Sequence, residues 1–225
     1  EVSLSTHALE HACERLVTRH LGTLGGGNQF LELDRDGGGD LWLLIHSGSR
    51  GVGAAIGAHH ARVAEKEGEG SLPGLSLDTP AGAACWRDLE WALSFARANR
   101  DAIGRAALEV LAEVTGVAPS EQLDVHHNFV CEEEHRGRPL LIHRKGAIAA
   151  PAGVRALIPG SMGTASYVVE GLGEPSSFSS ASHGAGRVLT RKQAHREIPP
   201  ERFLHSMRRV VFDTARAKTL LEEAP

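Results

Sequence analysis

Gln29-Phe30-Leu31-Glu32-Leu33-Asp34-Arg35-Asp36-Gly37-Gly38-Gly39-Asp40-Leu41-Trp42-Leu43-Leu44-Ile45-His46 places two short apolar-rich runs on either side of a glycine turn. Glycine supplies the backbone freedom that a tight reversal needs, so strands are predicted over 29–34 and 40–46, joined as a hairpin. Working outward, Leu4, Ala8, Ala12, Leu16 and Val17 recur at helical spacing, which predicts an amphipathic helix over 4–21 capped by Ser5 or Ser3. His46-Ser47-Gly48-Ser49-Arg50-Gly51-Val52-Gly53 follows the second strand and leads into a helix predicted over 54–67.

Residues 68–79 read as a Gly, Ser and Pro loop, and 80–116 as helical in two pieces. Ala83, Ala84, Leu89, Leu93, Ala96, Ile103, Ala107, Leu108 and Leu111 supply its buried stripe. A second strand pair is predicted over 123–132 and 138–145 across His135-Arg136-Gly137. Glycine turns at 158–166 and 182–187 bracket a strand at Tyr167-Val168-Val169, and Pro199-Pro200 opens a last helix over 201–209. Strands and helices never settle into the regular alternation of a doubly wound sheet, which makes the fold class α+β.

Composition narrows the partners. With 225 residues and 41% apolar content the chain can bury a core, and with 4% aromatics it has few rings to stack on bases. A net charge of −4 excludes broad attraction to nucleic acid, so a polyanion must be met by local cations. Cys13, Cys85 and Cys131 show neither C-x-x-C spacing nor a secretory leader, which points to a reducing, cytoplasmic setting and to core thiols. No apolar run approaches the roughly 18 residues of a membrane span, so no membrane partner is expected.

Chemistry concentrates in the glycine turns. In Ser182-His183-Gly184-Ala185-Gly186-Arg187 a histidine nitrogen can attack phosphorus, while glycine N–H groups and Arg187 hold phosphate oxygens. His46 ends an apolar strand and His126-His127-Asn128 lies in a predicted strand, where alternation sends His126 and His127 to opposite faces. Imidazoles in such places suit manganese, iron or zinc. Arg50, Arg144, Lys145, Arg187 and Arg191 each adjoin a glycine or serine turn and are candidate anion contacts. Pro159-Gly160-Ser161-Met162-Gly163-Thr164-Ala165-Ser166 offers hydroxyls and backbone donors suited to holding a nucleotide. His7, His11, His20, His59, His60, His135, His195 and His205 read as ordinary helix or loop residues, with His143 less clear.

In this order the motifs Gly22-Thr23-Leu24-Gly25-Gly26-Gly27-Asn28, His46-Ser47-Gly48-Ser49-Arg50-Gly51, His126-His127-Asn128, His143-Arg144-Lys145-Gly146-Ala147, Pro159 to Tyr167 and Ser182 to Arg187 resemble the RtcB-type RNA ligases. The resemblance implies mixed sheets with peripheral helices in a single catalytic domain, with motifs over 22–191 and a helical segment over 192–225. It implies joining of RNA 3′-phosphate or 2′,3′-cyclic phosphate ends to 5′-hydroxyl ends with GTP and manganese(II), through GMP carried on His183. His46 and His127 match metal ligands, and Gln29 occupies the position of a further ligand that is histidine in the family. Asn28, Phe30, Glu32, Asn128, Pro159, Gly160, Ser161, Met162, Ser166, Gly184, Ala185, Gly186 and Arg187 match the nucleotide's surroundings. Arg50, Arg144, Lys145 and Arg191 fall to RNA contacts.

A Gln oxygen is a weaker, neutral ligand than imidazole, so lower manganese affinity or a changed ion is expected. The family's Asp-x-x-Cys ligand run is expected upstream of Glu1, and its lysine and tyrosine near guanine beyond Pro225, which makes this chain a central piece incomplete at both ends. RNA is the implied partner and an archease protein the implied activator; no residue pattern sets an oligomeric state. A non-ligating GTP- or RNA-binding paralogue and a metal-dependent phosphoesterase are the alternative readings.

Overall fold

The computed structural model describes residues 3–67 and 72–221. Residues 68–71 of the predicted loop and the last four of the 192–225 segment lie outside them. The chain divides into two compact units, one ending at Ser120 and the other beginning at Glu121.

In the first unit α1 (His7–His20) is followed by β1 (Phe30–Arg35), β2 (Leu41–His46), α2 (Val52–Glu67) and α3 (Pro80–Thr115). The N-cap of α1 is Thr6, whose hydroxyl accepts from the Leu9 amide. Ser5, the cap expected from sequence, instead donates its hydroxyl and amide to Asp88 of α3. β1 and β2 pair antiparallel with Phe30 opposite His46 and Glu32 opposite Leu44, one residue later at each strand start than predicted. Asp36 makes the turn: its carboxylate accepts from the Gly38 and Asp40 amides and the Trp42 indole. The Trp42 bond leads in holding that carboxyl below its usual range.

Helix α3 runs unbroken where two pieces are predicted, starting at a Thr79 cap and stopping at left-handed Gly116. Its Gly104 lies where Ile45 of β2 approaches, a Cβ there being in ordinary contact at 3.5 Å. Leu9, Cys13, Val52, Ile56, Ala92 and Phe95 form the core between the three helices. One buried polar link crosses it, with His60 Nε2 2.7 Å from Asp88 Oδ2.

The second unit is built from short strands: β3 (Asn128–His135), β4 (Arg138–Lys145), β5 (Ala147–Ala149), β6 (Arg155–Ile158), β7 (Tyr167–Glu170) and β8 (Ser180–Ser182). They form antiparallel pairs β3–β4, β5–β8 and β6–β7, so the class is α+β as predicted. His126 and His127 stand before β3 rather than inside a strand, and Asn128 is its first residue. Helices α4 (Arg191–Glu197), α5 (Pro200–Ser206) and α6 (Ala217–Leu220) complete the unit. Phe203, Met207 and Leu221 are buried together there, with Met162, Ile198 and Phe212 packed on them. Among the described residues no helix is long and apolar enough to cross a membrane.

Candidate active site

In the first unit the hairpin places Phe30, Glu32, Trp42, Leu44 and His46 on one face, because opposite residues and alternate residues share a side. The Phe30 and His46 rings meet edge to face at 5.3 Å. Gln29, just before β1, carries a buried Oε1 without a hydrogen-bond partner, an acceptor that a cation or an N–H donor would satisfy. Arg50 adopts a left-handed backbone, and its Nε donates to Thr23 Oγ1 at 3.2 Å. Gly25 lies beneath it at φ +108°, a conformation that favours glycine, and a Cβ there would displace the Arg50 guanidinium.

Asn99, not singled out from sequence, joins the two glycine turns of this unit. Fully buried on α3, it accepts from the Thr23 amide and donates to the Thr23 and Gly48 carbonyls and the Ser47 hydroxyl. The signal was present: Asn99 and Asp88 are polar residues on the apolar stripe that contains Ala92, Phe95, Ala96 and Ile103. Asn99→Ala removes these bonds and strands buried partners, so a loss of about 3 kcal/mol in denaturant unfolding is expected. A loss below about 1 kcal/mol would show that the turns hold without it.

In the second unit two imidazoles stack. The His127 and His183 rings lie 4.7 Å apart and 5° from parallel. His183 Nδ1 is 2.6 Å from the Gly146 carbonyl oxygen. A carbonyl only accepts, so Nδ1 is the protonated nitrogen and, in the neutral ring, Nε2 carries the lone pair. The Gly146 amide in turn donates to the His127 carbonyl at 2.8 Å and to Asn128 Oδ1 at 3.0 Å. Gly146 sits at φ +67°, and a Cβ on it would press on His183 Cε1 and Nδ1 at 3.2 and 3.3 Å. One glycine thus bonds the His183 ring and the His127 backbone.

The nucleotide-type loops adjoin this pair. The Ala185 amide donates to the Pro159 carbonyl at 3.2 Å, which ties loop 182–187 to loop 158–166. Gly160 donates to Ser166 Oγ, Ser161 to Thr164 Oγ1, and a Cβ on Gly160 would overlap the Ala165 carbonyl. These three amides are spent on closing the two loops and tying them together.

Residues 3–225 match the family model described as tRNA-splicing ligase RtcB. The chain belongs to the RtcB family. It is 42% identical to the RNA-splicing ligase RtcB of Escherichia coli K12, an alignment that covers 78% of this chain and 47% of that protein. It is 35% identical to the RNA-splicing ligase RtcB of Mycobacterium tuberculosis, over 91% of this chain and 57% of the relative. Against the tRNA-splicing ligase RtcB of Pyrococcus horikoshii the figures are 32%, 91% and 29%. The chain spans about half the length of the two bacterial relatives.

The RtcB-type motifs divide between the units. Asn28, Gln29, Phe30, Glu32, His46 and Arg50 belong to the first; His127, Asn128, Lys145, the 159–166 loop and 183–191 belong to the second. Lys145, Gly186, Arg187 and Arg191 are exposed. Arg144, expected among the RNA contacts, is turned to a carboxylate of its own unit. Its guanidinium is 1% exposed and bound to Glu133 through both terminal nitrogens, so it presents no charge to a polyanion. Met162 uses its side chain to pack on Phe203 and Met207, which leaves its backbone alone to the nucleotide loop. Among the described residues no cluster of three or more His, Cys, Asp or Glu suited to a metal is present.

Of the three thiols expected in the core, Cys13 is buried there, whereas Cys85 and Cys131 are half-buried and lie outside it. Burial pushes Cys13 and Cys85 up, and burial followed by the Glu133 carboxylate pushes Cys131 up to about 11.

Proposed function

We propose that the whole protein is a GTP- and manganese-dependent RNA ligase that joins 3′-phosphate or 2′,3′-cyclic phosphate ends to 5′-hydroxyl ends, with His183 as the guanylate carrier. Membership of the RtcB family supports the ligase reading. The observation that carries the chemistry is the His183–Gly146 hydrogen bond, which fixes the tautomer and aims an unprotonated Nε2 away from the backbone.

In this reading Nε2 of His183 attacks the α-phosphorus of GTP, the P–O bond to the pyrophosphate breaks, and GMP is held as a phosphoramidate. A 2′,3′-cyclic phosphate is first opened to the 3′-phosphate by water; GMP then passes to a 3′-phosphate oxygen, the P–N bond breaks and the histidine lone pair is restored. The 5′-hydroxyl of the second RNA end attacks that activated phosphorus, forms the 3′,5′-bond and expels GMP. Gly160, Ser161, Gly184 and Ala185 belong to the two loops that surround the nucleotide, and Arg187 adds charge at its phosphate oxygens. Glu32 accepts from guanine N1–H and its exocyclic amine. Arg50, Lys145 and Arg191 contact RNA phosphates.

The residues of this chain that would hold manganese are those that match ligands of the family, His46, His127 and Gln29. The unsatisfied Gln29 oxygen fits a hard divalent ion, and such an ion supplies charge neutralisation at the phosphate oxygens. Gln29→His exchanges this oxygen for imidazole, and manganese affinity by calorimetric titration is expected to rise on the order of tenfold. Unchanged affinity would place residue 29 outside the coordination shell.

The deciding experiment incubates the full-length protein with labelled GTP and manganese, then with RNA bearing 2′,3′-cyclic phosphate and 5′-hydroxyl ends. Ligation predicts a covalent guanylate and a joined strand. Released phosphate without an adduct would identify a phosphoesterase, and bound nucleotide without joining would identify a non-ligating paralogue.

A further inference from the structure

We infer that Arg144 is a positioning residue for His183: with Glu133 and Ser180 it fixes the register of the strand pair that presents the imidazole. The inference rests on the proposed role of His183 as the guanylate carrier.

The β5–β8 ladder is three residues long, pairing Ala147 with Ser182, Ile148 with Ala181 and Ala149 with Ser180. Gly146 precedes one strand and His183 follows the other, so the ladder's register is what brings the ring to the Gly146 carbonyl. So short a pair is marginal alone, and a slip by two residues would carry His183 about 6.6 Å along the strand. Something outside the ladder must hold it.

Arg144 is placed to do so. It lies at the end of β4, two residues before Gly146, and opposite Phe129, whose ring centroid is 5.3 Å from its guanidinium carbon. Its Nε donates to Ser180 Oγ at 2.9 Å, the first residue of β8. Nη1 donates to Glu133 Oε1 at 2.6 Å and Cys131 Sγ at 3.2 Å. Nη2 donates to Glu133 Oε2 at 2.9 Å and the Phe178 carbonyl at 3.0 Å. All five guanidinium N–H groups therefore have acceptors, and they join β3 and β4 to the segment that enters β8.

That segment is strained. Phe178 and Ser179 both adopt left-handed backbones at φ 51° and 48°, a conformation disfavoured for residues with a Cβ. It persists because both carbonyls are gripped, Phe178 by Arg144 and Ser180 Oγ, and Ser179 by the Ala150 amide at 2.6 Å. Glu133 completes the anchor. Its bond to Arg144 leads in holding its carboxyl down to about 2, so the pair stays ionised across the range in which the protein is handled.

The test uses the full-length protein, with single-turnover labelling by GTP at saturating nucleotide below the melting temperature. Ser180→Ala removes the Arg144 bond to β8 together with the hydroxyl's bond to the Phe178 carbonyl, and leaves the Arg144–Glu133 ion pair in place. The labelling rate is expected to fall about tenfold with the GTP half-saturation constant within about twofold, and Ser180→Thr to restore it. Arg144→Lys, which lacks the planar fork, is expected to fall about a hundredfold. A merely structural Arg144 would lower the melting temperature and leave the rate per folded molecule alone, which would overturn the inference. Nitrogen-15 spectra of the histidine side chains give a second readout without nucleotide. The Nδ1–H tautomer of His183 should be lost in Ser180→Ala; its retention overturns the inference even if the wild type fails to label. Wild-type labelling that survives His183→Ala would instead defeat the carrier assignment and leave the tautomer measurement to decide the positioning.

Discussion

His183→Ala is expected to abolish the covalent guanylate in the full-length protein while the fold survives. The side chain is half-buried and its Nδ1 hydrogen bond runs to a backbone carbonyl, so truncation costs about 1 kcal/mol of stability. Its chemical contribution has no substitute nearby. His127, stacked on it, approaches through the ring face and has no lone pair directed along that contact. Labelling with radioactive GTP and manganese should fall below about 1% of the wild type, since loss of a nucleophile removes the covalent route altogether. A variant that still labels would assign the carrier to another residue.

Gly146→Ala should produce a large effect without touching a reactive group. A left-handed backbone at φ +67° costs a Cβ-bearing residue about 1–2 kcal/mol. The added methyl meets His183 at 3.2 Å, so the ring must give way, and with it the 2.6 Å bond that sets its tautomer. The contact asks the ring to give by a few tenths of an ångström, which loosens that bond and turns Nε2 off its line of attack, enough to slow the attack on the order of tenfold or more. Single-turnover labelling should show this as a lower limiting rate. A wild-type rate would mean that the ring's orientation does not depend on residue 146.

The elements were legible where pattern and turn chemistry agreed. The Asp36 to Gly39 reversal fixed the first hairpin within one residue, and Gly146, Gly160 and Gly184 stand where the motifs placed close backbone approach. Two kinds of feature escaped. Helix α3 reads as two pieces because Gly104 and the later alanines weaken the apolar period, yet tertiary contact with Ile45 carries it through. The role of Arg144 escaped because sequence places a cation beside a turn without revealing that Glu133, eleven residues back, faces it across a hairpin. A basic residue in a motif looks the same whether its partner is phosphate or carboxylate. Asn99 and Asp88 were visible as polar breaks in an apolar stripe, but their partners lie 52 and 83 residues away, at Ser47 and Ser5.

The thiols carry a consequence of their own. Sulfur reacts with peroxide and with alkylating reagents as its anion, and in Cys13, Cys85 and Cys131 that anion is suppressed by the surroundings. Oxidants should therefore pass this region by. Oxidative loss of the proposed activity is then expected to begin at groups other than these three thiols.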